Sequence, residues 1–150
     1  MQPKSKLIAG ILGVTLGALG IHNFYLGKTN RAILQIVVTV VTCGIGALWG
    51  EIEGILIFAG SPSLCTDANN QPLYEGPKYQ VVAGLLGIFL GGFGIHNFYI
   101  GKKDIAIIQL VVTLVSCGAG ALWGLIEGIL ILFDETGKYR DVYGNPLIRI

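Results

Sequence analysis

Charge is what this sequence has least of. Of its 150 residues, 10 are Lys or Arg and 9 are Asp or Glu, 13% in all. Soluble domains carry about 25%. Hydrophobic residues make up 53%, which excludes disorder, since disorder needs the reverse balance. A net charge of +1 gives no basic footprint, so nucleic acid is excluded as a partner. Cysteine is scarce as well. Cys43, Cys65 and Cys117 have the spacing of neither a metal motif nor a disulfide framework. A nucleophile–base pair, a phosphate loop and a nucleotide fingerprint are all missing. No catalysis, metal or cofactor is therefore expected, and the composition argues against an ordinary soluble enzyme.

What the sequence does have is a repeat. Ile21-His22-Asn23-Phe24-Tyr25 recurs as Ile95-His96-Asn97-Phe98-Tyr99, an offset of 74 residues. The same offset carries Gln35 to Gln109, Cys43 to Cys117, Trp49 to Trp123 and Glu53 to Glu127 without a gap. About 35 of the 54 positions in 4–57 and 78–131 are identical. Later, Asp67, Pro72 and Leu73 still match Asp141, Pro146 and Leu147. The chain is two copies of one unit.

Each unit holds two apolar stretches, 7–26 and 32–60 in the first and 81–100 and 105–133 in the second. A helix needs about 20 apolar residues to cross a hydrocarbon core, and lipid forces helices rather than open strands. The expected fold is thus all-α and integral to a membrane, with four transmembrane helices forming two hairpin repeats of parallel orientation. Lys4 and Lys6 before the first stretch resemble the start of a signal peptide. The same segment recurs inside the chain, however, which favours a retained helix. As one helix, 29–58 would measure about 45 Å. Cys43-Gly44-Ile45-Gly46 predicts a bend in its middle. The expected layout is a first unit at 1–60, a polar linker at 61–77, a second unit at 78–134 and a polar tail at 135–150. Termini and linker would share one side, expected to be cytoplasmic in a bacterial inner membrane, and the two short hairpins the other.

Two glycine faces stand out. Gly10, Gly13, Gly17 and Gly20 fall within an arc of about 80° on a helix, and Gly84, Gly87, Gly91 and Gly94 repeat them. Gly46, Gly50 and Gly54 are echoed by Gly120, Gly124 and Gly128. Small residues let helices approach closely in lipid. A polar seam follows from Gln35, Thr39 and Thr42, copied by Gln109, Thr113 and Ser116. On a continuous helix Glu53 would share its face with Gln35, five turns on. An intramembrane carboxylate is a candidate site and needs a cation partner. For Glu53 and Glu127 the expected partners are Lys4 and Lys78. His22, Asn23, Phe24, Tyr25 and Lys28, with His96, Asn97, Phe98, Tyr99 and Lys102, predict an interfacial hairpin in which rings sit among headgroups and Lys snorkels.

At these residues the chain resembles the TM2 domain family. Its pattern is matched by Gly17, Gly20, His22, Phe24, Tyr25, Leu26, Gly27 and Lys28, then Gln35, Gly44, Gly46, Trp49 and Glu53. The second copy matches through Gly91, Gly94, His96, Phe98, Tyr99, Gly101, Gln109, Gly118, Gly120, Trp123 and Glu127. The family's late acid is usually Asp, and here it is Glu. The resemblance implies a small integral membrane protein. Three functions are in view: a non-catalytic helix-packing scaffold or accessory subunit of a membrane assembly, a small ion or proton channel or carrier using Glu53, Glu127 and the seam, or a lipid-binding or membrane-shaping protein. Its partners would be membrane lipids and either itself or other membrane proteins.

Overall fold

A computed structural model describes residues 2–149; Met1 and Ile150 lie outside the described residues. The chain forms two compact units, Met1–Gly76 and Pro77–Ile150. Eight α-helices are found among the described residues, and no strand. In the first unit these are α1 (Lys6–Leu16), α2 (Ile21–Tyr25), α3 (Thr29–Val41) and α4 (Ala47–Ala59). The second unit repeats them as α5 (Gln80–Leu90), α6 (Ile95–Ile100), α7 (Lys103–Val115) and α8 (Gly120–Leu132).

The four spans expected from the sequence, the second of each unit bent at its glycine pair, are not what forms among the described residues. Each apolar stretch breaks into two helices that double back. The first break lies at Gly20, whose left-handed backbone (φ 61°) follows a short 3₁₀ turn at Gly17–Leu19. Beyond it the chain returns far enough for the Tyr25 hydroxyl to accept the Ser5 N–H at 2.8 Å. In a straight helix those residues would lie about 30 Å apart. The second break follows Val41. The Gly44 N–H bonds back to the Thr39 carbonyl (2.8 Å), while Cys43 and Gly44 take left-handed backbone (φ 50° and 102°). This six-to-one closure is the Schellman pattern that ends helices. Instead of a bend, the glycine pair therefore carries a reversal. Among the described residues no helix is long and apolar enough to cross a membrane.

The glycine faces hold the doubled chain together. A Cβ on Gly13 would lie 2.5 Å from Gly54 Cα, and one on Gly17 2.5 Å from the Gly50 carbonyl carbon. Gly10 receives the ring of Phe58. Thus α4 runs antiparallel to α1 with the two backbones in contact, an approach that any side chain would prevent. Gly87 against Gly128, and Gly91 against Gly124, repeat the contact between α5 and α8, with Gly84 against Leu132. Gly20, Gly94, Gly46 and Gly120 serve elsewhere. The first two turn the chain over Ala32 and Ala106, and the others sit against Thr39 and Thr113.

Of residues 61–77, expected as a polar linker, those up to Gly76 belong to the first unit and fold onto it. Leu64 is buried with Ala9, Leu26 and Ile57, and Leu73 packs against them. The Ala68 N–H reaches the Leu26 carbonyl (3.0 Å), and Tyr74 and Lys4 pair through Tyr74 N–H (2.8 Å). In the second unit Val142 bonds to Ile100 (2.9 Å) and Ile148 to Lys78 (2.9 Å) in the same way.

Candidate functional site

The polar residues of each unit meet in its interior. His22, Asn23, Gln35 and Glu53 are all buried, although three different helices supply them. The turn at Gly20 points α2 inward, which is why His22 and Asn23 enter the core instead of resting among headgroups. Asn23 Nδ2 donates to Gln35 Oε1 (2.9 Å) and to Glu53 Oε2 (3.0 Å). His22 Nε2 lies 2.8 Å from Glu53 Oε2 and, facing an acceptor carboxylate, is the ring nitrogen that donates. The Arg31 guanidinium closes on the other carboxylate oxygen, Oε1. One amide thus bridges Gln35 and Glu53, which would stand about 27 Å apart along a continuous helix. They become neighbours through the reversal.

The second unit builds the same knot. His96 Nε2 meets Glu127 Oε2 at 3.0 Å. Asn97 Nδ2 donates to Gln109 Oε1 (3.0 Å) and to Glu127 Oε2 (3.2 Å). The position of Arg31 is taken by Ile105, and the Glu127 side chain is 21% exposed against 4% for Glu53. Polar atoms inside an apolar body are costly unless paired, and most of these pair with one another. His22 Nδ1, Gln35 Nε2, His96 Nδ1, Asn97 Oδ1 and Gln109 Nε2 remain buried without a hydrogen-bond partner.

The other expected site residues lie elsewhere. Lys4, expected beside Glu53, stands instead 5.9 Å from the Tyr25 ring centroid. Lys78 stands 5.0 Å from the Tyr99 ring, while the hydrogen bonds on Glu127 come from His96 and Asn97. The cause is again the reversal: it sets Glu53 against the start of α3, where Arg31 is, and not against the N-terminal arm. The seam is not continuous. Thr39 Oγ1 donates to the Gln35 carbonyl (2.9 Å) and Thr42 Oγ1 to that of Val38 (2.7 Å). Thr42 then accepts the Gly46 N–H (3.0 Å), as Ser116 accepts that of Gly120 (3.2 Å), which ties the turn. Thr113 copies Thr39. Of the aromatics, Phe24 is exposed and Phe98 buried. Tyr99 accepts the Tyr79 N–H (2.9 Å) as Tyr25 accepts that of Ser5. Lys28 and Lys102 sit in the turns before α3 and α7, their N–H groups bonded to the Asn23 and Asn97 carbonyls (both 2.9 Å).

The sequence reading missed Arg31 as a partner and His22 as the neighbour of Glu53. A signal was available: His, Asn, Gln and Glu are among the polar residues that recur at one offset within the apolar stretches, and such residues in lipid need each other.

The chain is thus two tandem all-α units, each closed around a His–Asn–Gln–Glu knot. The TM2 domain model matches twice, at residues 2–55 and 76–129. The chain belongs to the TM2 domain family, as a tandem duplication. It is similar to the uncharacterized membrane protein YozV of Bacillus subtilis (strain 168), with 40% identity over 61 residues, 41% of this chain and 75% of that protein. No solved structure matches.

Proposed function

We propose that the chain is a membrane-embedded, non-catalytic scaffold or accessory subunit of a membrane assembly. The observation that carries this reading is an inside-out distribution. His22, Asn23, Gln35 and Glu53 are spent on one another inside, while Val40, Val41, Ile45, Leu114 and Val115 are each about 70% or more exposed outside. Water would reverse that order, whereas hydrocarbon favours it. Because the glycine faces are consumed within each unit, association with other membrane proteins runs through the aliphatic outer surfaces. In the first unit Lys4, Lys6, Lys28 and Arg31 gather at one end, and the positive-inside bias turns that end toward the cytoplasm.

Glu53, tied to His22, Asn23 and Arg31, is a structural acid on this reading and not an ion carrier. Purified protein in liposomes under proton and potassium gradients tests it. The expected flux equals that of empty liposomes, for the wild type and for Glu53→Gln and Glu127→Gln alike. Flux that rises with wild-type protein and falls with either variant would contradict a scaffold. A channel or carrier is the second reading, and the greater exposure of Glu127 (21%) is the observation that favours it.

A further inference from the structure

We propose that each unit enters the membrane from one side only and occupies a single leaflet, so that its outer surface is fitted to the acyl chains of that leaflet. The inference rests on the membrane embedding above and adds its depth and sidedness. The first unit has two unlike ends. At one end lie the N-terminal arm, the turn between α2 and α3, the end of α4 and the segment after it. Their contacts bind them there: Ser5 N–H to the Tyr25 hydroxyl (2.8 Å), Ala68 N–H to the Leu26 carbonyl (3.0 Å) and Tyr74 N–H to the Lys4 carbonyl (2.8 Å), and the Cys65 thiol to the Ile57 carbonyl (3.4 Å). Lys4, Lys6, Lys28, Asp67 and Glu75 belong to this end, and Lys6 and Glu75 pair across it (3.4 Å).

At the other end lie the 3₁₀ turn and the turn from Val41 to Ala47. No charge occurs from residue 32 to residue 50. Val40, Val41 and Ile45 are 71%, 75% and 69% exposed there. The second unit copies both ends. Tyr79 N–H meets the Tyr99 hydroxyl (2.9 Å), Val142 meets Ile100 (2.9 Å), and the tip exposes Leu114 and Val115 at 71% and 80%. Its stretch from 105 to 126 carries no charge at all. Glu51, half-buried on α4 beside Gly17, is the one charge set toward the tip among the described residues of the first unit, and Leu125 replaces it in the second.

Depth follows from length. Helices α3 and α4 have 13 residues each, about 20 Å at 1.5 Å per residue. One leaflet offers about 15 Å of hydrocarbon beneath about 5–7 Å of headgroup region. A unit of that height, polar at one end and oily at the other, fills a leaflet and stops near the midplane. A crossing hairpin would instead put the turn at 27–31 on the side opposite residues 61–76, which those contacts forbid.

The native cysteines provide the test. Cys43 and Cys117 lie at the two tips and are exposed on the protein surface. With Cys65→Ser in sealed vesicles, both are expected to resist a membrane-impermeant maleimide from either side and to react after detergent is added. In a background lacking the native cysteines, Asn30→Cys and Asn69→Cys are expected to react from the same side. Reaction of Asn30→Cys from the side opposite Asn69→Cys, or of Cys43 or Cys117 in intact vesicles, would overturn one-sided insertion while the protein still resists alkaline carbonate extraction. Release by carbonate would instead overturn the embedding itself.

Discussion

The two units share one polar knot, yet among the described residues the first alone sets a guanidinium against its acid. Glu53 has His22, Asn23 and Arg31, whereas Glu127 has His96 and Asn97 with Ile105 where the arginine would be. Helices, turns and glycine contacts match across the units, so the arginine is not what makes the fold. What both need is the neutral bridge, an asparagine amide whose two hydrogens satisfy a glutamine and a glutamate on chain segments running in opposite directions. Arg31 adds a lid over an acid already held, which accords with the lower exposure of Glu53.

The glycine contact common to both units should give the largest effect when broken. Gly50→Leu and Gly124→Leu each drive a side chain into a facing backbone and are expected to cost about 3 kcal/mol or more. Thermal unfolding in detergent, followed by circular dichroism, should show similar losses for the two. Next come Asn23→Ala and Asn97→Ala, at about 1–3 kcal/mol each, because a buried glutamine oxygen loses its donor. Equal losses would place the bridge, and not the arginine, at the centre of both knots.

Arg31→Ile gives the first unit the residue of the second. Since the Arg31 side chain is 41% exposed, the expected cost is about 1 kcal/mol or less. A double-mutant cycle with Glu53→Gln should return coupling of that size, and zero coupling would remove Arg31 from the site. Glu51→Leu, which copies Leu125, should change stability by about 0.5 kcal/mol at most.

The smallest effect is local. The Gln71 N–H, and with it that of Asn69, holds the half-buried Asp67 carboxyl below its ordinary value, through bonds of 2.9 and 2.8 Å. A depressed carboxylate stabilises the folded loop above its unfolded pKa and loses that contribution as pH falls through the lower, folded one. Amide exchange at Asn69 and Gln71 should therefore lose protection below about pH 4, and Asp67→Asn should abolish that pH dependence. Asp141 holds the Tyr143 and Asn145 amides at 2.9 and 2.8 Å, and the same titration there would extend the comparison to both loops.

The repeat and the helical class were legible because identity at a fixed offset and long apolar runs need no knowledge of chain direction. Gly13, Gly17, Gly50 and Gly54 could be read as close-contact positions before it was clear that they contact each other. The reversals were not legible. An uninterrupted apolar run satisfies a length rule for one spanning helix as well as it satisfies two short helices with a turn. One turn is marked by Cys43 at positive φ, a residue that carries no such signal, and Gly44 and Gly46 announced a break without its angle. Misjudging that angle also misplaced the partner of Glu53. On a straight helix Lys4 is the cation within reach, and only a doubled chain brings Arg31 there.

The doubling-back of α3 and α4 underlies the knot, the exposed tip and the one-sided charge, and one distance measures it directly. Spin labels on Asn30→Cys and Leu56→Cys, in a background without native cysteines and in lipid, are to be read by pulsed electron resonance. A separation below about 25 Å is expected, with the residues 26 positions apart in sequence. A separation near 39 Å, the length of an unbroken helix between them at about 1.5 Å per residue, would contradict the account.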